Sequence, residues 1–214
     1  MNKKRLIEEK LRIYKKPIIE YAFLNELINT YAPEYKIHDF TRFSYITPII
    51  RKKIYINNFS PERSKINELT IGAIYCKNKQ YAIGWLYLYN QYHFVDQIAN
   101  IVSIYSTNTN WWNKEIAGFK FTFLKERPSF FWWIESKQLP DGTEYKCFSK
   151  ERALIQFIIE NNWRLEYKTE IYNSIKNKDI DLLKLQNLSN KYLSKKKQLF
   201  INKFINDVSE YLSK

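Results

Sequence analysis

Apolar positions recur at helical spacing through the N-terminal quarter of the chain, then give way to shorter, alternating runs. Leu6, Leu11 and Ile13 predict a helix over residues 3–14, with Glu8 and Glu9 placed to pair with Arg12. Pro17 suits a helix start, and Ile18, Ile19, Tyr21, Ala22, Leu24, Leu27 and Ile28 predict a second, amphipathic helix. It ends near Ala32 and Pro33, because the residue before a proline avoids helical backbone. Asp39 is a good N-cap for a third helix running from Phe40 to about Ile49. Phe40, Phe43, Ile46 and Ile50 would face inward, leaving Thr41, Arg42, Ser44, Tyr45 and Thr47 on the other side, with Pro48 awkward inside it. Arg51, Lys52 and Lys53 then lead into a short strand, Ile54-Tyr55-Ile56. Short helices, a basic corner and a strand outline a winged helix-turn-helix.

Further along, residues 61–64 read as a turn or linker, and residues 67–76 and 81–92 as two helices. A β-rich stretch follows, with runs at 98–106, 115–124 and 129–133. In the second of these, Phe119, Phe121 and Phe123 share one face and Lys120 and Thr122 the other. Pro140-Asp141-Gly142 is a turn signal, followed by a strand through Tyr145 and Cys147. Ser149 is placed to cap a helix from Lys150 whose buried face is Ala153, Leu154, Phe157 and Ile158. From about Asp179 the chain is helical, with Leu182, Leu183, Leu185, Leu199, Phe200, Phe204 and Ile205 in apolar stripes.

Composition adds a partner class. The 214 residues are 45% apolar, enough for one sizeable core or two small ones. They carry 35 basic and 22 acidic groups, a net charge of +13, which attracts polyanions. The first third is the most basic: residues 1–65 hold 14 basic and 7 acidic groups, against 9 and 7 in 66–150 and 12 and 8 in 151–214. The bland alternative is a solvated surface in a Lys-rich proteome. Cys76 and Cys147 are too few for a disulfide framework and lack metal-ligand spacing, which points to buried thiols in a reducing compartment. Charges at Glu8, Glu9, Lys10 and Arg12 interrupt any signal-peptide core, and no apolar run reaches the ~18–20 residues that span a bilayer. The expected location is cytoplasmic.

Catalytic chemistry finds little support in the residues. Pro140-Asp141-Gly142-Thr143-Glu144-Tyr145-Lys146 spells the letters of a metal-dependent nuclease, but turn chemistry explains P-D-G and strand alternation explains E-x-K. His38 and His93 stand far apart without ligand partners at suitable spacing, and Gly72 and Gly84 are isolated rather than part of a phosphate loop. Trp111-Trp112 and Trp132-Trp133 fit three readings: core, an anchor at a protein interface, or a platform for stacked bases. A helix-turn-helix would place Thr41, Arg42, Ser44, Tyr45 and Thr47 toward the major groove and Arg51, Lys52 and Lys53 on phosphates. The Lys-rich tail 191–197 either touches DNA or solvates a helix.

Order and spacing across the middle carry a family resemblance. Residues 81–89, then Gln91-Tyr92-His93-Phe94-Val95-Asp96-Gln97-Ile98-Ala99-Asn100, Ser106-Thr107, Gly118-Phe119-Lys120-Phe121-Thr122-Phe123 and Ser149-Lys150-Glu151-Arg152-Ala153-Leu154-Ile155-Gln156 follow one another in a recognisable order. The pattern resembles the AbiEi-like antitoxins of type IV, abortive-infection, toxin–antitoxin systems, over roughly residues 15–190. Phe94 stands where that pattern has glycine, Ala99 and Lys150 where it has proline, and Gln156 where it has an acidic residue. Lys52-Lys53-Ile54-Tyr55 stands for its R-G-x-Y wing, without the glycine. The resemblance implies an N-terminal winged helix that represses its own operon and a C-terminal α/β domain needed against a nucleotidyltransferase-like toxin.

The expectation is therefore an α+β chain: residues 1–60 a winged helix-turn-helix, residues 61–214 a mixed domain with a mainly antiparallel sheet and a helical C-terminal tail. It is expected to be a DNA-binding autoregulator and antitoxin, not an enzyme, with no cofactor or metal. Its partners would be double-stranded DNA at its own operator and a toxin, met directly or only functionally, with no membrane. A non-catalytic protein-interaction module with a degenerate helix-turn-helix is the first alternative, and a metal-dependent nuclease the second.

Overall fold

A computed structural model of the chain describes residues 3–107, 112–161, 168–177 and 180–213. Trp111 and Asp179, invoked above, lie outside the described residues. The architecture is mixed α+β, with a three-stranded sheet, a six-stranded sheet and helices. No helix among the described residues is long and apolar enough to cross a membrane. The chain divides into two compact units: residues 1–78, 114–121 and 138–145 form the first, and 79–113, 122–137 and 146–214 the second.

The first unit opens with α1 (Lys3–Ile13), as its periodicity predicts, burying Ile7 and Leu11. The expected second helix is corrected at its start: Ile18–Glu20 is a strand, β1, and α2 begins at Tyr21 and runs to Tyr31. Ile18 and Ile19 are β-branched and find partners in β3 (Ile54–Asn57), pairing antiparallel as Ile18 with Ile56 and Ile19 with Tyr55. A local reading has no sight of a partner that arrives so much later in the chain.

The third helix is corrected at both ends. It is α3, Ile37–Arg42, and Asp39 is its third residue rather than its cap, reaching back to accept the Lys36 N–H at 2.8 Å. The chain turns at Ser44, which adopts a left-handed φ of 59°, and Ile46–Ile50 enters β2 instead of continuing the helix. Pro48 explains the change. It breaks a helix interior, yet is tolerated in β2, an edge strand of the order β1-β3-β2, where a register shift falls between Pro48 and Ile50. Leu24, Leu27, Ile28, Phe40, Ile46 and Tyr55 close one core with the buried face of α1. Buried Asn57 ties this core to the chain's start, donating from Nδ2 to the Leu11 carbonyl at 2.8 Å. A 3-10 turn at Arg63–Lys65 leads to α4 (Glu68–Cys76), capped by Asn67 accepting the Thr70 N–H and packed against β2.

The predicted helix over 81–92 is also two elements, β4 (Tyr81–Gly84) and α5 (Trp85–Gln91). Gly84 permits the switch sterically, since a Cβ there would lie 2.8 Å from ring carbons of Phe148 and Tyr105. β4 pairs antiparallel with β5 (Val102–Ser106) and parallel, at Ile83 and Cys147, with β9 (Glu144–Phe148). The run at 115–124 is a hairpin rather than one strand: β6 (Trp112–Ile116) turns at Ala117 and Gly118, both at positive φ, into β7 (Phe119–Lys125). β8 (Ile134–Gln138) completes the sheet order β6-β7-β5-β4-β9-β8. The sheet is mixed, and the 129–133 run is no strand but a 3-10 turn at Pro128–Phe130 with an irregular exit.

Helices follow as α6 (Lys150–Glu160), α7 (Lys168–Lys176), α8 (Leu182–Tyr192) and α9 (Lys195–Leu212). Ser149 caps α6 by accepting the Arg152 N–H at 3.1 Å, and Ala153, Leu154, Phe157 and Ile158 are buried as predicted. Of the tail's apolar positions, Leu185 and Phe204 are buried, whereas Leu183 and Leu199 are exposed.

Candidate functional site

Two concentrations of function-bearing side chains stand out, one in each unit. In the first, α3 and the β2–β3 turn carry the residues singled out from sequence. Arg42 ends α3 exposed, and Thr41, half-buried, donates from Oγ1 to the Ile37 carbonyl. His38 stands one turn before Arg42 with its side chain largely exposed and Nε2 3.2 Å from Asp39. Ser44 is exposed in the turn, its carbonyl accepting from Asn58 Nδ2 at 2.9 Å.

Tyr45 and Thr47 lie off the helix. The Tyr45 ring packs edge-on against Phe59, 4.9 Å between centroids, and its hydroxyl donates to Glu8 Oε2 at 3.1 Å. Burial, reinforced by that bond, raises the phenol's pKa, while Arg12 holds the Glu8 carboxyl below its usual range. Thr47 sits in β2 opposite Ile56, its hydroxyl bonded to the Asn58 amide. Both are committed to packing within the first unit.

Arg51, Lys52 and Lys53 form the exposed tip between β2 and β3. Lys52 adopts φ 58°, the left-handed conformation that glycine takes more easily, and its N–H donates to the Tyr55 hydroxyl at 3.1 Å. Lys53 is fixed on both sides: its N–H donates to the Ile50 carbonyl and its own carbonyl accepts the Tyr21 N–H at 2.8 Å. The backbone is held while the side chains project. None of these three, nor Arg42, has an ion-pair partner among the described residues.

The second concentration escaped the sequence. Arg152, in the first turn of α6, is 5% exposed, with its guanidinium carbon 4.1 Å from the Trp132 ring centre, 4.9 Å from Phe148 and 5.0 Å from Phe130. Desolvated cation–π contacts of this kind contribute about 2 kcal/mol. They do not satisfy N–H donors: Nε is buried without an acceptor, and no described residue gives the guanidinium a hydrogen bond or ion pair. A buried donor left so costs about 1–3 kcal/mol. Burial pulls the Arg152 pKa down to about 10.

Beside it, Tyr89 donates to Glu160 Oε2 at 2.7 Å, and Gln156 Nε2 donates to Glu160 Oε1 at 2.7 Å and to the Tyr105 hydroxyl at 2.9 Å. Burial, reinforced by Glu160, pushes the Tyr89 phenol well above its ordinary range, and Tyr105 is pushed up for the same reasons. These residues line a cleft of about 1370 Å³, with Trp85, Trp132 and Tyr192 among its aromatic walls. Arg152 reads in sequence as a surface residue of a helix start. Only the fold brings Phe130, Trp132 and Phe148 around it.

The remaining candidates are placed as follows. Asp141 accepts from Thr70 Oγ1 at 2.7 Å and from the Thr143 N–H at 2.8 Å, as turn chemistry predicts, while Glu144 and Lys146 are exposed on β9. No group of three or more His, Cys, Asp or Glu able to hold a metal ion occurs among the described residues. Cys76 and Cys147 are buried and form no disulfide, and burial raises the Cys147 thiol. Trp132 and Trp133 do not alternate as strand neighbours: Trp132 stacks on Tyr192 at 4.5 Å, and Trp133 is exposed with φ 55°. Trp112 is exposed beside Phe123. No protein-family model matches the chain, and no curated protein matches it.

Proposed function

We propose that this protein binds duplex DNA through its N-terminal segment, which we read as a winged helix. The observation that carries this reading is the order α1-β1-α2-α3-β2-β3 with its sheet order β1-β3-β2, ending in a cationic tip whose side chains are unpaired among the described residues. In that reading α3 is the helix offered to the major groove and the Arg51–Lys52–Lys53 turn is the wing. The five residues of β2 span about 17 Å, more than the ~12 Å width of a major groove, so helix and wing meet different parts of the duplex. His38, Thr41, Arg42 and Ser44 are the groove candidates; Arg51, Lys52 and Lys53 neutralise phosphates.

The AbiEi-like resemblance extends this to a transcriptional autoregulator acting on its own operator. On the same ground we infer a role as antitoxin to a nucleotidyltransferase-like toxin, met directly or only functionally. A second reading, a protein-interaction module, is favoured by the exposed Trp112 and Trp133.

The deciding experiment is a salt titration of binding to the duplex upstream of the protein's own gene, beside a scrambled duplex. Repressor behaviour requires preference for the native duplex and a steep loss of affinity with salt. Replacing Lys52 and Lys53 by Ala should flatten the log–log slope by about 2 on both duplexes. Arg42→Ala should instead remove about 1–3 kcal/mol of preference. Equal, weak binding to both duplexes sinks the repressor reading and leaves the protein-partner one.

A further inference from the structure

We propose that the cleft of the second unit is a binding site for a nucleoside monophosphate, with Arg152 holding the phosphate and the aromatic wall taking the base. This stands independently of DNA binding by the first unit.

A guanidinium is a planar fork of donors matched to paired oxyanion oxygens. Arg152 keeps that fork in place by stacking on Trp132, yet offers it no acceptor among the described residues. An apolar side chain would fill the same ring cage without burying a charge, so packing alone gives no reason for a cation there. An oxyanion entering the cleft supplies what is missing.

The size of the cleft says the ligand has a body. At about 1370 Å³ it exceeds the ~300–1,000 Å³ of common small-molecule pockets, far more than a free phosphate ion fills. Rings offer the body its contact: Trp85 is 43% exposed and Tyr192 37%, both on the wall. Flat faces of this kind accept any base, because every base has a π-face. Glu160 and Asp96 supply acceptors for ribose hydroxyls and base amino groups.

Charge selects the monophosphate. Four cationic residues line the cleft, Lys125, Arg127, Arg152 and Lys197, against three carboxylates, Asp96, Glu126 and Glu160. The small surplus suits one phosphate and disfavours the added charge of a triphosphate.

The test is calorimetric titration and thermal shift of the full chain with AMP, GMP, CMP and UMP, beside adenosine, inorganic phosphate, benzoate and ATP. The monophosphates should raise the melting temperature and bind at least about tenfold more tightly than the other four probes. Arg152→Gln should abolish the response. Tyr192→Ala, at a partly exposed ring, keeps the test alive should Arg152→Gln fail to fold, and should weaken binding several-fold. Unchanged affinity in a folded Arg152→Gln overturns the proposal, as does absence of any response to nucleotides at millimolar concentration. Phosphate binding as tightly as AMP removes the base from the site, and benzoate doing so removes the nucleotide.

Discussion

The two units use positive charge in opposite ways. At the β2–β3 tip, Arg51, Lys52 and Lys53 stand in water on a backbone held by hydrogen bonds. In the second unit, Arg152 is enclosed by rings. Exposed cations act through a screened, additive field, and each is worth little alone. A buried cation acts at one point, in a medium that strengthens whatever it meets and penalises what it lacks. The first arrangement suits a long polyanion met in many registers, the second a small anion met in one. Net charge reports the first and is blind to the second.

The largest expected effect comes from removing the anchor beneath α3. Phe40 is fully buried, and Phe40→Ala should destabilise the fold by about 3–5 kcal/mol in chemical denaturation. At temperatures where the variant remains folded, duplex binding should keep its salt dependence and lose sequence preference, because the tip survives a loosened helix. Loss of both together would show that tip and helix do not divide the work.

Next in size is Gly84→Ala, which sets a methyl 2.8 Å from the rings of Phe148 and Tyr105. A cost of about 1–3 kcal/mol is expected from overpacking, read as a lower denaturation midpoint. Because Phe148 is one wall of the Arg152 cage, the emission of Trp132 should shift as well. An unshifted spectrum would mean that the cage absorbs the methyl without moving.

The smallest effect sharpens the contrast in environment. Tyr89 and Tyr105 have phenol pKa values raised in the fold above the unfolded value near 10. Stability from burying them neutral is thus fully present below pH ~10 and is lost as pH rises through the raised folded values. Arg152 shifts the other way, so the cost of its charge eases as pH climbs above about 10 and partly offsets that loss. Ultraviolet difference absorbance separates the two: exposed phenols should titrate first, with Tyr89 and Tyr105 ionising only as the fold opens. A single titration step for all tyrosines would contradict their enclosure.

How much of this was legible in the sequence depended on where each signal is stored. The Ser149 cap, α1, the Asp141–Gly142 turn and the buried face of α6 were readable because their determinants lie within a few residues of each other. β1 was not, since Ile18 and Ile19 continue a helical pattern and their true partners, Ile56 and Tyr55, come much later. The hairpin at Ala117–Gly118 was missed because its first turn residue is alanine, outside the usual Asn-Gly signature. Within the first unit, the exposed tip was apparent from its charges, whereas Tyr45 looked solvent-facing until Glu8 and Phe59 were brought to it. The Arg152 cage was the least legible feature, assembled from three aromatic residues and one helix start.

Pro48 carries a consequence beyond the helix it prevents. A small sheet presents the unpaired backbone of its rim strands, and such a rim can template the strand of another molecule. On β2 that rim is interrupted by a residue with no N–H to give and by the register shift beside it. The side chain that keeps residues 46–50 out of a helix therefore also guards β2 against edge-to-edge aggregation. Replacing it with valine would restore a continuous strand and invite polymerisation during expression.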